Sequence, residues 1–564
     1  MTQTRTFLLI AWLMVAFFLW DAWQKDYSAP QANTPDAVEA VADPSIPDAA
    51  LIPDASVPSA EDAASAVPEM TAELEASKPE SAKPVRLEND VLRLAIDAKG
   101  GSIVLAELLA YAQEPKVGSP PVELLTTTPS HYFIVQNGLV GSPVAPSHQD
   151  AMTAESGDQA LAEGAGSVQL SFLWHGGDGI QVRRSYRLER GSYEVVIEDT
   201  VVNGSGVAWR GSAYQQMLRL PPPPAKGGFT NPESLSFTGA AWYSPQEKFE
   251  KLKFGDFDPK APFQRDVTGG WIAMLQHYFV AAVVPDPQSN AKFANAVLPG
   301  GRYLLRSLGS ALDVAPGASA TTTATLYLGP KLRDPLEATA PGLGLSLDYG
   351  IFTVLSQPLH ALLAWLHWLT GNWGWAIVLL VVIIKAALFK LSEAQYKSFA
   401  KMRRIQPRME ALKERYGDDR QKYQMAMMEM YKQEKINPLG GCLPMLVQFP
   451  IFLALYWVLV EGVELRHAPW ILWIQNLTAP DPLYVLPVVN LATMWLTQKL
   501  SPTTGMDPMQ KKMMQAMPIV FGVMFAFFPA GLVLYWTTNG LLGLVQQWYI
   551  MRRHADPATP AAAK

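Results

Sequence analysis

Hydrophobic side chains fall along this chain in two rhythms, and the change of rhythm divides it. From Val85 to Lys331 they alternate with polar ones: Leu92, Leu94 and Ile96 with Arg93 and Asp97, then Tyr193, Val195 and Ile197. Period two marks strands, because successive side chains point to opposite faces of a sheet. Further strands are predicted over Ile180–Arg187, Trp271–Val284, Tyr303–Ser307 and Thr322–Leu328, with Gly/Pro turns between them. Many short strands over residues 85–331 predict one large antiparallel all-β sandwich.

Beyond that region the apolar residues run together. The stretch NWGWAIVLLVVIIKAALFK, Asn372–Lys390, is broken by a single charge, Lys385. A membrane span needs about 20 largely apolar residues, so this run is just long enough with its flanks. Four more candidates follow at 443–460, 483–498, 515–529 and 531–550. Near the start, Arg5 precedes an apolar run from Phe7 to Trp20. That pattern suits a cleaved signal peptide or an anchor. The lack of a small-x-small site and of a nearby cysteine favours an anchor over 1–23. Residues 345–371 predict a helix lying in the membrane interface, with Ser356, His360 and His367 on one side and Trp365 and Trp368 in the aromatic belt.

Composition separates the parts further. The net charge of −6 is an average over unlike segments, and there is one cysteine, Cys442, so no intrachain disulfide is possible. Residues 24–84 are Ala, Pro, Asp, Glu and Ser with few large apolar groups, which predicts a disordered linker. Lys390–Lys435 holds 12 Lys/Arg against 7 Asp/Glu. It predicts a helical hairpin at 392–435 carrying Lys397, Lys401, Arg403, Arg404 and Arg408, with a Gly stop and an Asp cap near 417–419. The positive-inside rule places this hairpin and the short tail at 554–564 in the cytoplasm. With the anchor, the count is six spans and both termini inside. The predicted fold class is therefore a multi-pass α-helical membrane protein, with one N-terminal anchor and five core spans. It carries a large extracytoplasmic all-β sandwich and a cytoplasmic helical hairpin.

The chemistry concentrates in the spans. An ionisable group inside a span costs about 2.5–3.5 kcal/mol and asks for a function. Lys385 also lies close enough to Lys390 for its ammonium to snorkel to the headgroups. Gln448, Asn490, Thr493, Thr537, Thr538, Asn539, Gln546 and Gln547 are polar groups in the same spans. Their bland role is interhelical hydrogen bonding. Together with Lys385 they also fit the lining of a wet, cationic groove, with Gln448, Asn490, Thr493, Thr538 and Asn539 as its walls. In the sandwich, Glu247, Asp178, His175 and His277 show no spacing that specifies a sugar-active site. The two histidines of 345–371 lack a third metal ligand. No Gly-x4-Gly-Lys-Ser/Thr loop is present, so any work is driven by burial and membrane potential, without a nucleotide. Neither cofactor nor metal nor small-molecule substrate is implied.

Several motifs in order then carry a resemblance: Gly371-Asn-Trp-Gly, Ala394-Gln-Tyr, Ala400-Lys-Met-Arg, Asn437-Pro-Leu-Gly-Gly-Cys-Leu-Pro, Gln448-Phe-Pro-Ile-Phe-Leu-Ala-Leu-Tyr, Ser501-Pro-Thr-Thr with Asp507-Pro-Met-Gln, and Gly531-Leu-Val-Leu-Tyr-Trp. The chain resembles the YidC/Oxa/Alb family of membrane protein insertases, in its Gram-negative form with a large periplasmic domain. The resemblance implies an insertase and foldase of the inner membrane. Such a protein acts alone or beside the Sec translocon, and it takes nascent membrane proteins from translating ribosomes into the phospholipid bilayer. It implies that Lys385 is the groove charge where studied members carry Arg, with a hydrated point charge in place of a bidentate fork. It further implies that Tyr535 and Trp536 contact the client and that the cytoplasmic hairpin is required. A solute transporter would show inverted repeats, and a membrane-anchored sugar-active enzyme a carboxylate pair; neither is evident.

Overall fold

The computed structural model describes residues 83–223, 236–416, 419–434, 443–500 and 508–553. The predicted anchor, nearly all of the linker, the loop at 501–507 and the tail at 554–564 lie outside the described residues.

The alternating region forms two sheets, one of eleven strands and one of nine. Almost every pairing is antiparallel, as where Val85 pairs with Ile96; the exception is Leu87 beside Gln159, a parallel contact. Leu92, Leu94 and Ile96 are fully buried, and both sheets contribute to one core that includes Phe172, Tyr186, Trp271 and Phe293. The long apolar stretch Trp271–Val284 is two strands, Trp271–Leu275 and Phe279–Pro285, which pair with each other. Its turn at Gln276-His277-Tyr278 has none of the Gly, Pro or Asn that announce a turn in sequence.

Ten helices are described. After α1 (Arg333–Thr339) come α2 (Thr353–Thr370) and α3 (Trp373–Ala387). Gly371 takes a left-handed φ of 64° and gives its N–H to the His367 carbonyl at 2.7 Å. Asn372 then caps α3 by accepting from Trp375 N–H at 3.1 Å. Stop and start signals thus sit on adjacent residues, and the chain turns a corner there. In α2 the predicted polar stripe faces protein. Ser356 donates to the Ala454 carbonyl at 3.1 Å, His360 meets Glu464 at 3.3 Å, and His367 stacks on Trp373. Val354, Trp365, Trp368 and Leu369 are exposed instead. The helix begins at Thr353, later than the expected 345, after two short 3-10 turns.

A 66° bend separates α3 from α4 (Phe389–Arg404). The hairpin expected over 392–435 contains a further break at Ile405, between α4 and α5 (Gln406–Tyr416). Pro407 explains it: in a continuous helix its ring would strike the carbonyl four residues back, whereas in a first turn its missing N–H costs nothing. Asp419 caps α6 (Arg420–Gln433), accepting from the Gln421 and Lys422 N–H groups. Ile405, Met409 and Met430 hold these helices together.

The remaining helices are α7 (Leu443–Glu461), α8 (Val485–Leu500), α9 (Pro508–Phe525) and α10 (Ala530–Arg553). They share a core with α2 and α3, built from residues such as Leu363, Leu380, Leu455, Phe525 and Tyr535. Among the described residues no single helix is long and apolar enough to cross a membrane; the bent pair α3–α4 passes together.

Candidate functional site

Prolines and small residues open the helical core at one end. Pro518 in α9 has no N–H to give to the Met514 carbonyl, and the Gln498 side chain of α8 donates to that carbonyl instead. Backbone groups freed by proline in a membrane helix need such a replacement. Gly540 brings α10 against α8, since a Cβ there would stand 2.8 Å from Thr493 Oγ1.

Six helices, α3, α4 and α7–α10, line a cavity of about 490 Å³ at this end. Lys385 enters it from α3, near the point where the chain bends. Its half-buried side chain lies near Tyr396 and Gly543: a Cβ built on Gly543 would be 3.7 Å from the ammonium and 3.8 Å from the Tyr396 hydroxyl. Tyr396 donates to the Gly543 carbonyl at 3.2 Å. Among the described residues no carboxylate pairs with Lys385. Gln448 of α7 donates to Asn539 Oδ1 of α10 at 2.7 Å. Beside this amide pair stand Phe452 and Trp536, 4.6 Å apart, with Tyr535 stacked on Phe452 at 6.0 Å. The Trp536 indole N–H is buried without an acceptor. Met514, Met517 and Phe521 of α9 form the apolar side. One cation, a few amides and a soft apolar wall suit a segment that carries both carboxylates and apolar side chains.

Seven of the residues singled out in sequence therefore occupy or adjoin one space. Lys385, Gln448, Asn490, Asn539, Tyr535 and Trp536 line it. Thr493 is buried beside it, with its hydroxyl turned to the Asn490 carbonyl at 2.7 Å, so it does not form part of the lining. Thr538 is not among the lining residues either, since it sits about 130° around α10 from the centre of the stripe Tyr535, Trp536, Asn539 and Gly540. Ser392, Gln395, Tyr396, Thr497 and Gln498 are lining residues that the sequence reading missed, although Gln395 and Tyr396 fall in one of its motifs. Four lie in or near polar segments, where such residues read as solvated, and Met514, Met517 and Phe521 read as core.

Among the described residues the hairpin cations do not converge on the cavity. Lys397 pairs with Glu393 at 3.0 Å and Arg408 with Glu434 at 2.6 Å; Lys401 and Arg404 are exposed, and only the backbone of Arg403 is described. In the sandwich, Glu247 meets Arg265 at 3.2 Å and His277 points to the helical core.

The family model described as 60Kd inner membrane protein matches residues 365–557, and that described as YidC periplasmic domain matches residues 84–362. A relative named membrane protein insertase YidC, from Xanthomonas campestris pv. campestris, is 49% identical over 573 residues, covering 99% of this chain and 98% of its own. One of the same name from Stenotrophomonas maltophilia is 46% identical over 571 residues, covering 100% and 98%. A solved structure titled active YidC insertase, with the first transmembrane domain resolved, covers 85% of this chain and 99% of its own at 18% identity and a TM-score of 0.37.

Proposed function

The chain belongs to the YidC family of membrane protein insertases, and we propose that it inserts nascent membrane proteins through the cavity around Lys385. As a family member it is an inner membrane protein with a periplasmic domain, the β-sandwich, and it acts on nascent membrane proteins. The observation that carries the finer reading is a cation without a carboxylate partner among the described residues, set in a cavity with the Gln448–Asn539 amide pair. A client carboxylate costs about 2.5–3.5 kcal/mol at the centre of a bilayer. Two unit charges 4 Å apart attract by about 4 kcal/mol at an effective dielectric constant of 20. The magnitudes match, so one lysine offsets the cost of one acidic residue.

In this reading the cavity opens to the cytoplasm and to lipid, and the acidic end of a client enters it. The client's apolar segment then leaves past Phe449 and Phe521 into the bilayer, which supplies the driving force by burial. Phe452, Tyr535 and Trp536 contact the client, and the Trp536 N–H donates to a backbone carbonyl of the client. No covalent step is involved. Both termini lie in the cytoplasm, six spans cross the membrane, the charged hairpin meets ribosomes, and the protein works alone or beside the Sec translocon. A photoreactive residue placed at Met517 or Phe452 tests this directly. Cross-links to an arrested client chain are expected from those positions and not from Trp368. Equal labelling at all three would overturn the cavity as the client site.

A further inference from the structure

The exterior end of α7 is held by the β-sandwich. Glu461, the last residue of the helix, and Lys331, directly after the last strand, are 1–2% exposed and face each other at 4.0 Å. A carbonyl only accepts, so the 2.9 Å contact between His277 Nε2 and the Val460 carbonyl is a donation from the ring. His277 and Tyr278 form the turn between two strands, and the Tyr278 carbonyl accepts the Lys331 N–H at 2.8 Å. Arg466 donates to the Ala112 and Gln113 carbonyls at 2.6 and 3.1 Å. Between these contacts the chain serves two cores at once: Val463 is buried in the sandwich core, and Leu465 in the helical one.

From Glu461, α7 rises 1.5 Å per residue, so Phe452 lies about 14 Å further along one uninterrupted stretch. Pro450 removes only the bond to the carbonyl of residue 446, so Gln448 and Phe449 stay on the anchored side of that break. A stiff helix fixed at one end carries that placement to its other residues. We propose that Lys331 and Glu461 are positioning residues for the cavity: the sandwich clamps the end of α7 and so sets where Phe452 and Gln448 stand. A buried pair suits this task because neither charge tolerates losing the other.

The proposal rests on the reading of the cavity as the client site, so its test separates the two. Spin labels at Phe449 and Phe521, which line the cavity from α7 and α9, report a distance with no client present. The full chain in proteoliposomes, with Cys442→Ser, is compared with Lys331→Met, Glu461→Gln and the exchange Lys331→Glu/Glu461→Lys. The single variants are expected to shift and broaden the distance distribution and to lose most of the insertion yield, and the exchange to restore both. Should a single variant lose the protease resistance of the sandwich, Arg466→Gln decides, because it loosens the seam without stranding a buried charge. Distances and yields like wild type in Arg466→Gln and in the folded single variants would overturn the clamp. Lys385→Ala serves as the opposite control: an unchanged distance with lost insertion keeps the cavity reading. If it inserts like wild type, that reading fails while the distances still judge the clamp.

Discussion

Gln546 of α10 donates its side-chain amide to the backbone carbonyl of Lys385 at 3.3 Å. Lys385 is among the last four residues of α3, whose carbonyls find no N–H within their own helix. The bond therefore ties the bend after α3 to the helix that also brings Trp536 and Asn539 to the cavity. Gln546→Leu is expected to cost about 0.6 kcal/mol, the typical worth of such bonds in membrane proteins. Unfolding in mixed micelles measures it. Insertion should suffer more than that small loss implies, because the bend carries Lys385.

Gly374, in the first turn of α3, lies against the loop that follows α7. A Cβ on it would stand 2.1 Å from the Trp470 ring, whose own backbone carbonyl accepts from Asn372 at 3.0 Å. The backbone around Trp470 cannot retreat freely, so Gly374→Ala should cost about 1–3 kcal/mol by overpacking. A shift in tryptophan emission, together with a lower melting temperature, would report displacement of the ring.

Inside the sandwich, Arg184 and Asp199 pair through two bonds of 2.7 and 3.1 Å, and both side chains are 0–2% exposed. Removing the cation strands a buried carboxylate, so Arg184→Met should destabilise by about 3–5 kcal/mol. Arg184→Met/Asp199→Leu should recover most of that loss. Thermal unfolding of the full chain compares the two; equal loss in both would mean that packing, and not the stranded charge, dominates.

The seam between sandwich and helices is expected to weaken in acid. Burial, and then the nearby charges of Lys331 and Arg466, push His277 down from 6.5 to about 3. Between those values the unfolded chain binds a proton that the folded one refuses. Stability from this group is therefore complete above pH 6.5 and falls as the pH drops below it. Melting temperatures from pH 7.5 to 5 should decline, and His277→Gln, which keeps a donor for the Val460 carbonyl, should flatten the decline.

How much of this was legible in sequence follows from what local pattern encodes. Alternation at Leu92, Leu94 and Ile96 marks a strand with one face in a core, and those residues are buried. Polar groups in apolar runs pointed to Gln448, Asn490 and Asn539 because such groups are conspicuous there. Thr493 shows the limit of that signal: a hydroxyl in a helix can satisfy itself on its own backbone, three residues earlier. The break at Ile405 was encoded in Pro407, but the charge pattern around it reads as one continuous arm. Ser392, Gln395 and Tyr396 reach the cavity only because the chain bends after Ala387, and a bend that brings distant residues together has no local signature. The same holds for the seam, where Val460 and Arg466 meet partners more than 180 residues away in the chain.

The central claim is that the charge of Lys385 carries acidic client tails into the membrane. The most direct measurement reconstitutes the purified protein alone into liposomes, without nucleotide, and adds a single-span client with an acidic exterior tail. Protease protection of the tail is read for wild type, Lys385→Arg and Lys385→Ala. The account predicts protection with wild type and with Lys385→Arg, and loss of most protection with Lys385→Ala that is relieved when the tail is made neutral. Full protection of the acidic tail by Lys385→Ala would contradict it.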